Sequence, residues 1–225
     1  VFNPEFLTER SAKLDFINQS RFILGGLKKN VNKVEKLYKW RFGETTPVIK
    51  TNYETAEMIK YMNNCFFATK VSFLNEMYQI ADACGADWDM AVEGFVRDGR
   101  IGHSHMSVPG PDGKFGFGGS CFPKDVKALI NIASQNNYIP KLITSVEAVN
   151  NEQKRVLAKK IIAEFGEDLS QIKVGIWGLS FKPNTDDLRE APSVDIINKL
   201  LQHGAQISVN DPASMENFKE IFNDC

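Results

Sequence analysis

The sequence lacks paired cysteines. Cys65, Cys84, Cys121 and Cys225 lie far apart, with no C-x-x-C motif and no matching histidine spacing. That argues against a zinc site or a disulfide framework, and makes a reducing cytoplasm the expected compartment. Charge of one sign is lacking too. There are 27 Lys and Arg against 28 Asp and Glu, a net charge of −1, so nothing favours nucleic acid or an anionic membrane as partner. No apolar run reaches the roughly 18 residues of a membrane span, and no charged-then-apolar leader pattern opens the chain. Histidine is scarce. His103 and His105 stand two apart in a polar loop, where a solvated loop is a better reading than a metal pair. The dinucleotide fingerprint G-x-G-x-x-G is absent as well.

What is present is ordinary globular composition, 43% hydrophobic and 24% charged over 225 residues, enough for one large domain or two small ones. The first fifty residues alternate strand and helix. A short apolar strand spans 20–26, a helix 31–42 and a second strand 47–50, as in the tail of an α/β unit. The segment 52–85 then runs some thirty residues without Gly or Pro. Asn52 can cap its start and Gly85 can end it. Its apolar residues, among them Met58, Met62, Phe66, Val71, Leu74 and Ile80, cover more than one face. Such a helix is central, and is shared with another domain or subunit. Further helices are expected at 88–96, 124–136 and 143–165, with a Gly/Pro-rich loop over 97–119. The end of the chain reads a strand running into a loop over 173–181, helix 193–203, strand 206–210 and helix 215–222, the opening half of a doubly wound domain. The expected fold is therefore α/β: a central all-helical dimerisation domain with a long helix, flanked by the end of one Rossmann-like domain and the first half of a second. The expected boundaries are 1–51, 52–150 and 151–225.

The stretch 117–125, Phe-Gly-Gly-Ser-Cys-Phe-Pro-Lys-Asp, is the most informative. It puts one thiol at the start of a helix behind a glycine loop. Gly116, Gly118 and Gly119 allow close approach of backbone to a ligand. Pro123 is preset for a first helical turn, and Asp125 suits its positive end. Beside Lys124 and a helix N-terminus, Cys121 is a competent nucleophile; the alternative is a structural cysteine in a Gly-Pro turn. Lys60 and Asn64, four apart on the long helix, can offer two donors to an oxyanion, or be a snorkelling lysine and a surface asparagine. Glu5 and Glu9 offer carboxylates for acid/base work, though such a pair more often marks a wet surface. Arg100 can grip an anionic group. Lys182, Arg189 and Glu190 form a polar cluster ahead of a helix, a reasonable anion site. The turn 174–179, Val-Gly-Ile-Trp-Gly-Leu, lacks the full fingerprint, and no acidic residue ends the second strand until Asp211, so it is weak evidence for NAD at that strand.

In order and spacing these motifs resemble the UDP-glucose/GDP-mannose dehydrogenase family over nearly the whole chain. The resemblance rests on Asn-Pro-Glu-Phe-Leu at 3–7, Ala-Glu-Met-Ile-Lys-Tyr-Met-Asn-Asn at 56–64, Arg-Ile-Gly at 100–102, the cysteine motif at 116–125, and Phe-Lys-Pro-Asn-Thr-Asp-Asp-Leu-Arg-Glu-Ala-Pro at 181–192. It is nearest to the UDP-glucose-oxidising branch.

The resemblance implies a cytoplasmic enzyme that uses NAD to oxidise UDP-glucose to UDP-glucuronate. GDP-mannose or UDP-N-acetylmannosamine are alternative substrates, and an inactive dimerising fragment is a further alternative. Cys121 is implied as the nucleophile, passing through thiohemiacetal and thioester and lying against the cofactor. Lys60 and Asn64 are implied to stabilise oxyanions, Asp125 to position water, and Glu5 to do acid/base work. Phe6, Leu7, Glu9, Arg100, Phe115, Gly116, Phe117, Gly118, Gly119, Phe181 and Lys182 are implied on the substrate side, Arg100 reaching a neighbouring subunit. Glu9 and Arg189 are implied near NAD. A homodimer through the 55–84 helix is expected, and no metal. The loop 103–114 is longer than in familiar members of the family. Val1 corresponds to a point near the end of the family's NAD-binding domain, which implies that this stretch of chain is inactive alone.

Overall fold

The computed structural model describes residues 1–7, 11–111, 113–119, 121–181 and 185–222. They form two compact units, residues 1–64 and 65–225.

The first unit contains α1 (Ala12–Ile17), β1 (Phe22–Gly25), α2 (Lys28–Phe42), β2 (Val48–Thr51) and the opening turns of α3 (Tyr53–Cys84). β1 and β2 are parallel, in register from Phe22 opposite Val48 to Gly25 opposite Thr51. An apolar run suits a strand covered on both faces, and Phe22, Ile23 and Leu24 are each at most 1% exposed. The Phe22 ring meets Tyr38 at 4.3 Å and Phe42 at 4.9 Å, which fixes α2 over the strand. Phe2 adds an antiparallel bridge at Gly25. Glycine is required there, because a Cβ would stand 2.5 Å from the Ala56 Cβ and 2.8 Å from the Asn52 carbonyl. The side chain of Asn52 accepts from the Thr55 N–H at 2.9 Å and so starts α3.

The second unit holds the rest of α3, then α4 (Trp88–Val96), α5 (Phe122–Gln135), α6 (Lys141–Gln153), α7 (Val156–Phe165), β3 (Lys173–Trp177), α8 (Pro192–Gln202), β4 (Gln206–Asn210) and α9 (Met215–Ile221). Gly85, at φ +70, ends α3. Cys65, Ala68, Val126 and Val146 form one buried cluster, joining α3, α5 and α6. Leu74, Met106 and Val108 form another, under the long loop. β3 and β4 pair in parallel, Lys173 opposite Gln206 through Trp177 opposite Asn210. Ala158, Ile162, Leu169, Leu200 and Ala205 fill the core beside them.

The expected helix 143–165 is in fact two. α6 ends at Gln153, where the Arg155 N–H bonds the Glu152 carbonyl, three residues back. The break coincides with Lys154, whose side chain is buried and paired with Glu190. No Gly or Pro marks it. α1 was not expected from the sequence, and β3 ends at Trp177, from which the chain runs into the expected loop.

Candidate active site

The site residues expected from sequence divide between the two units. In the first, Glu5 is exposed, and Phe6 and Leu7 are half-buried. The Arg21 guanidinium lies 4.6 Å over the Phe6 ring. Asn3 donates to the Ile23 carbonyl at 2.9 Å and accepts from the Tyr38 hydroxyl, tying this segment to β1 and α2. Burial, and then the Glu5 charge, push the Tyr38 phenol upward. Lys60 and Asn64 stand one turn apart on α3, both half-buried. Glu9 lies outside the described residues.

In the second unit Cys121 is the N-cap residue of α5, with Pro123 in the first turn, as expected. The thiol residue is exposed. Cys65 is a different kind of cysteine. It is 2% exposed, and burial, reinforced by the Asp125 charge, pushes its thiol up to about 11. Cys84 is exposed at the end of α3. Asp125 is 2% exposed and accepts from Lys124 Nζ at 2.7 Å. Lys124 is therefore paired with its neighbouring carboxylate.

The glycine loop ahead of Cys121 is tightly held. Phe115 packs on the Leu74, Met106 and Val108 cluster, its ring 5.4 Å from Tyr78. The Gly116 N–H donates to Asn75 Oδ1 at 3.0 Å. The Phe117 N–H donates to Asn150 Oδ1 at 2.7 Å, and Asn150 Nδ2 donates to the Phe117 carbonyl at 2.9 Å. A Cβ on Gly119 would come 2.9 Å from the Phe181 ring, and one on Gly118 would come 3.4 Å from the Glu190 carbonyl. Two motifs some sixty residues apart in sequence thus meet in space. Asn75 and Asn150 were missed at the sequence level. Their only signal there is polarity on otherwise apolar helix faces.

Glu190, at φ +57, holds the second motif in place. Its carboxylate accepts from Lys127 Nζ at 2.6 Å and also pairs with Lys154. Burial pulls that carboxyl upward, and the two lysines outweigh it to hold it low. Arg189 Nε and Nη2 grip both Asp187 oxygens at 2.6–3.1 Å. Arg100 grips Asp98 in the same way, at 2.5–3.2 Å. Lys70 fixes the loop after Arg100 by donating to the carbonyls of Gly102 at 2.7 Å and Ser104 at 2.6 Å. Beside it runs a groove of about 470 Å³ lined by Phe66, Phe67, Lys70, Phe73 and Arg100. Lys182 lies outside the described residues.

The β3–α8–β4 segment does not fit NAD. Asp211, where a dinucleotide domain needs a carboxylate for ribose, accepts instead from the N–H groups of Leu179 at 2.7 Å, Ala213 at 2.8 Å and Ser214 at 2.9 Å. Burial opposes ionisation there, yet these donors hold the carboxyl far below the usual range. Asp211 is a strap between the two strand ends.

Comparison with known proteins points to one family. The central domain of the UDP-glucose/GDP-mannose dehydrogenase family matches residues 54–152, and that family's UDP binding domain matches 175–225, together more than half of the chain. A UDP-glucose 6-dehydrogenase of Rhizobium meliloti is 37% identical, covering 98% of this chain and 50% of its own length. One from Bacillus subtilis is 40% identical, covering 98% and 46%. The structure of a UDP-glucose dehydrogenase from Pyrobaculum islandicum superposes with a TM-score of 0.83 at 34% identity, covering 99% of this chain and 50% of that one. The chain thus spans about half the length of the curated relatives it matches.

Proposed function

We propose that this chain, which belongs to the UDP-glucose/GDP-mannose dehydrogenase family, carries the reactive thiol and part of the sugar-nucleotide site of an enzyme oxidising UDP-glucose to UDP-glucuronate. The observation that carries the reading is the meeting of the glycine loop with Phe181 and Glu190. An exposed thiol at a helix start then stands beside backbone that only glycine permits.

In this reading Cys121 Sγ adds to the aldehyde carbon, and the carbonyl oxygen becomes the oxygen of a thiohemiacetal. Lys60 and Asn64, one turn apart, donate to that oxygen as charge gathers on it. After oxidation to the thioester, water attacks the same carbon, the C–S bond breaks, and the thiol returns as the carboxylate leaves. Asp125 orients that water, and Glu5 takes its proton. Cys65 is unsuited to the role, because burial keeps its thiol protonated. NAD⁺ is the proposed hydride acceptor, with Glu9 and Arg189 near it. The β3–α8–β4 segment does not fit that cofactor.

Phe6, Leu7, Glu9 and Lys182 belong to the substrate side of the proposal, with Phe115 to Gly119 and Phe181 covering the sugar nucleotide. Arg100 reaches toward a second subunit's substrate. Phe66, Phe73, Met77 and Ile80 of α3, each at least 38% exposed, support a homodimer through that helix. No described helix is long and apolar enough to cross a membrane, and the proposed compartment is the cytoplasm. The proposed domain boundaries remain 1–51, 52–150 and 151–225.

Titration calorimetry with UDP-glucose, UDP-glucuronate and GDP-mannose tests the substrate reading. Uptake of the UDP-sugars with none of GDP-mannose supports it, and preference for GDP-mannose overturns it. A monomer in sedimentation at micromolar concentration would remove the dimer.

A further inference from the structure

We infer that Asn150 is a positioning residue for the Cys121 thiol, acting through the backbone of Phe117, with Asn75 supporting it one residue earlier. The inference rests on the reading of Cys121 as nucleophile, and concerns what fixes that nucleophile in space.

Cys121 lies outside regular structure apart from its role as N-cap, and its position depends on its flanks. Those flanks are Phe117 and Phe122. Their rings meet edge to face, 6.0 Å between centroids. Both pack against the cluster of Cys65, Ala68, Val126 and Val146. The thiol is thus carried on a short clasp, closed by two aromatic rings.

One end of the clasp is α5, held by its own helical bonds. The described residues 113–119 at the other end lie in neither strand nor helix, and Asn150 takes over the role of a partner there. Its carboxamide accepts from the Phe117 N–H at 2.7 Å and donates to the Phe117 carbonyl at 2.9 Å. Asn75 accepts from the Gly116 N–H at 3.0 Å, and its own amide is fixed on the Val71 carbonyl at 2.8 Å. The two side chains are 4% and 2% exposed. A buried amide that satisfies both polar atoms of one backbone residue does what a strand partner would do.

Gly116 is the counterpart. At φ +73 a Cβ there would fall 2.5 Å from Asn150 Oδ1, so the amide reaches the backbone only because residue 116 is glycine. Both asparagines act on the backbone of residues 116 and 117, so the role is positional.

The chemistry dictates the variants. Asn150→Asp keeps the shape and an acceptor, and loses the donor to the Phe117 carbonyl. Asn75→Ala removes the second hold and leaves Asn150 intact. Each is made in a chain with Cys84 and Cys225 replaced by serine. Two readouts are taken: the pH profile of Cys121 alkylation by iodoacetamide, and hydrogen exchange at the Phe117 amide. Asn150→Asp is expected to speed that exchange about tenfold or more, the loss of one hydrogen bond's worth of protection, and to shift the alkylation profile. Asn75→Ala is expected to move both the same way by less. A control, Ile197→Val, loosens a separate cluster and is expected to move neither.

An Asn150→Asp chain that stays folded with both readouts unchanged overturns the inference. If that variant does not fold, unchanged readouts in Asn75→Ala overturn it. The nucleophile reading is judged separately, on the unsubstituted thiol. Cys121 alkylating no faster than Cys84 does in a Cys121→Ser chain would overturn that reading, whatever the asparagine variants show.

Discussion

Two parts of the second unit hold side chains of the proposed site in opposite ways. The clasp around Cys121 is built from the inside. Buried amides on α3 and α6 hold backbone, and backbone carries the reactive group. The arginine arms are built from the surface. Arg100 and Arg189 are 89% and 77% exposed along their side chains, and each is gripped by the aspartate two residues earlier. The first device fixes a position at a cost in folding energy when it is broken. The second fixes only an orientation, in high dielectric, where an ion pair contributes little to stability. The fold and the ligand should therefore respond differently to damage in the two places.

The largest effect is expected at Gly116. Gly116→Ala drives a methyl into Asn150 Oδ1 at a backbone angle that alanine resists. A loss of about 2–4 kcal/mol is expected by urea unfolding. A loss below about 1 kcal/mol would mean that the amide can retreat, and that the interior device is not rigid.

Next comes Lys154→Met. Lys154 is 5% exposed, and its ammonium pairs with Glu190. Removing it leaves a half-buried carboxylate with Lys127 as its remaining ion-pair partner among the described residues, and a loss of about 2 kcal/mol is expected. The pH dependence has a definite sign. Glu190 is held below its ordinary range, so the stability it adds is present above about pH 4.3 and is lost as pH falls further. Unfolding curves of the unsubstituted chain should weaken in that window, and those of Lys154→Met should weaken less.

Asn75→Ala follows. One buried hydrogen bond to Gly116 is lost, and its donor is left without its acceptor. A cost of about 1–2 kcal/mol is expected from thermal or urea unfolding.

The ordering of these effects tracks what the sequence could tell. The clasp's covalent part was legible: Gly116, Gly118, Gly119, Cys121, Pro123 and Asp125 announce a loop entering a helix through residue types that do little else together. The long helix was legible through its freedom from Gly and Pro, and the asparagine cap at its start acts as read. Asn75 and Asn150 were hidden because a polar residue on an apolar helix face carries no address for its partner. The break after Gln153 was hidden for the same reason, since it depends on Lys154 meeting a residue thirty-six positions away. Lys124 was read as an aid to the thiol, while the structure pairs it with Asp125, a choice between adjacent partners that spacing cannot make. Asp211 shows the converse. Its sequence position suggests a ribose ligand, and three backbone donors occupy it instead.

The smallest effect on the fold, and the sharpest test of the contrast, is Asp187→Asn. The carboxylate gives Arg189 two bonds from Nε and one from Nη2, and also accepts from the Arg189 N–H at 2.9 Å. Asparagine can keep the backbone bond and one side-chain bond, but cannot present two charged oxygens to a guanidinium. The unfolding midpoint should move little, because the Arg189 side chain is 77% exposed, although that of Asp187 is only 18% exposed. The arginine, however, is then freer to leave the ligand-facing orientation. If Arg189 serves the cofactor side as proposed, NAD⁺ binding by the whole enzyme should weaken about three- to tenfold by calorimetry, an orientational cost without a structural one. A shift of the midpoint with unchanged affinity would reverse the assignment and make the arginine arm part of the scaffold. Asp98→Asn, the same geometry at Arg100, should leave UDP-glucose binding by a lone subunit untouched and weaken it only where a second subunit is present, because that arm is proposed to reach across.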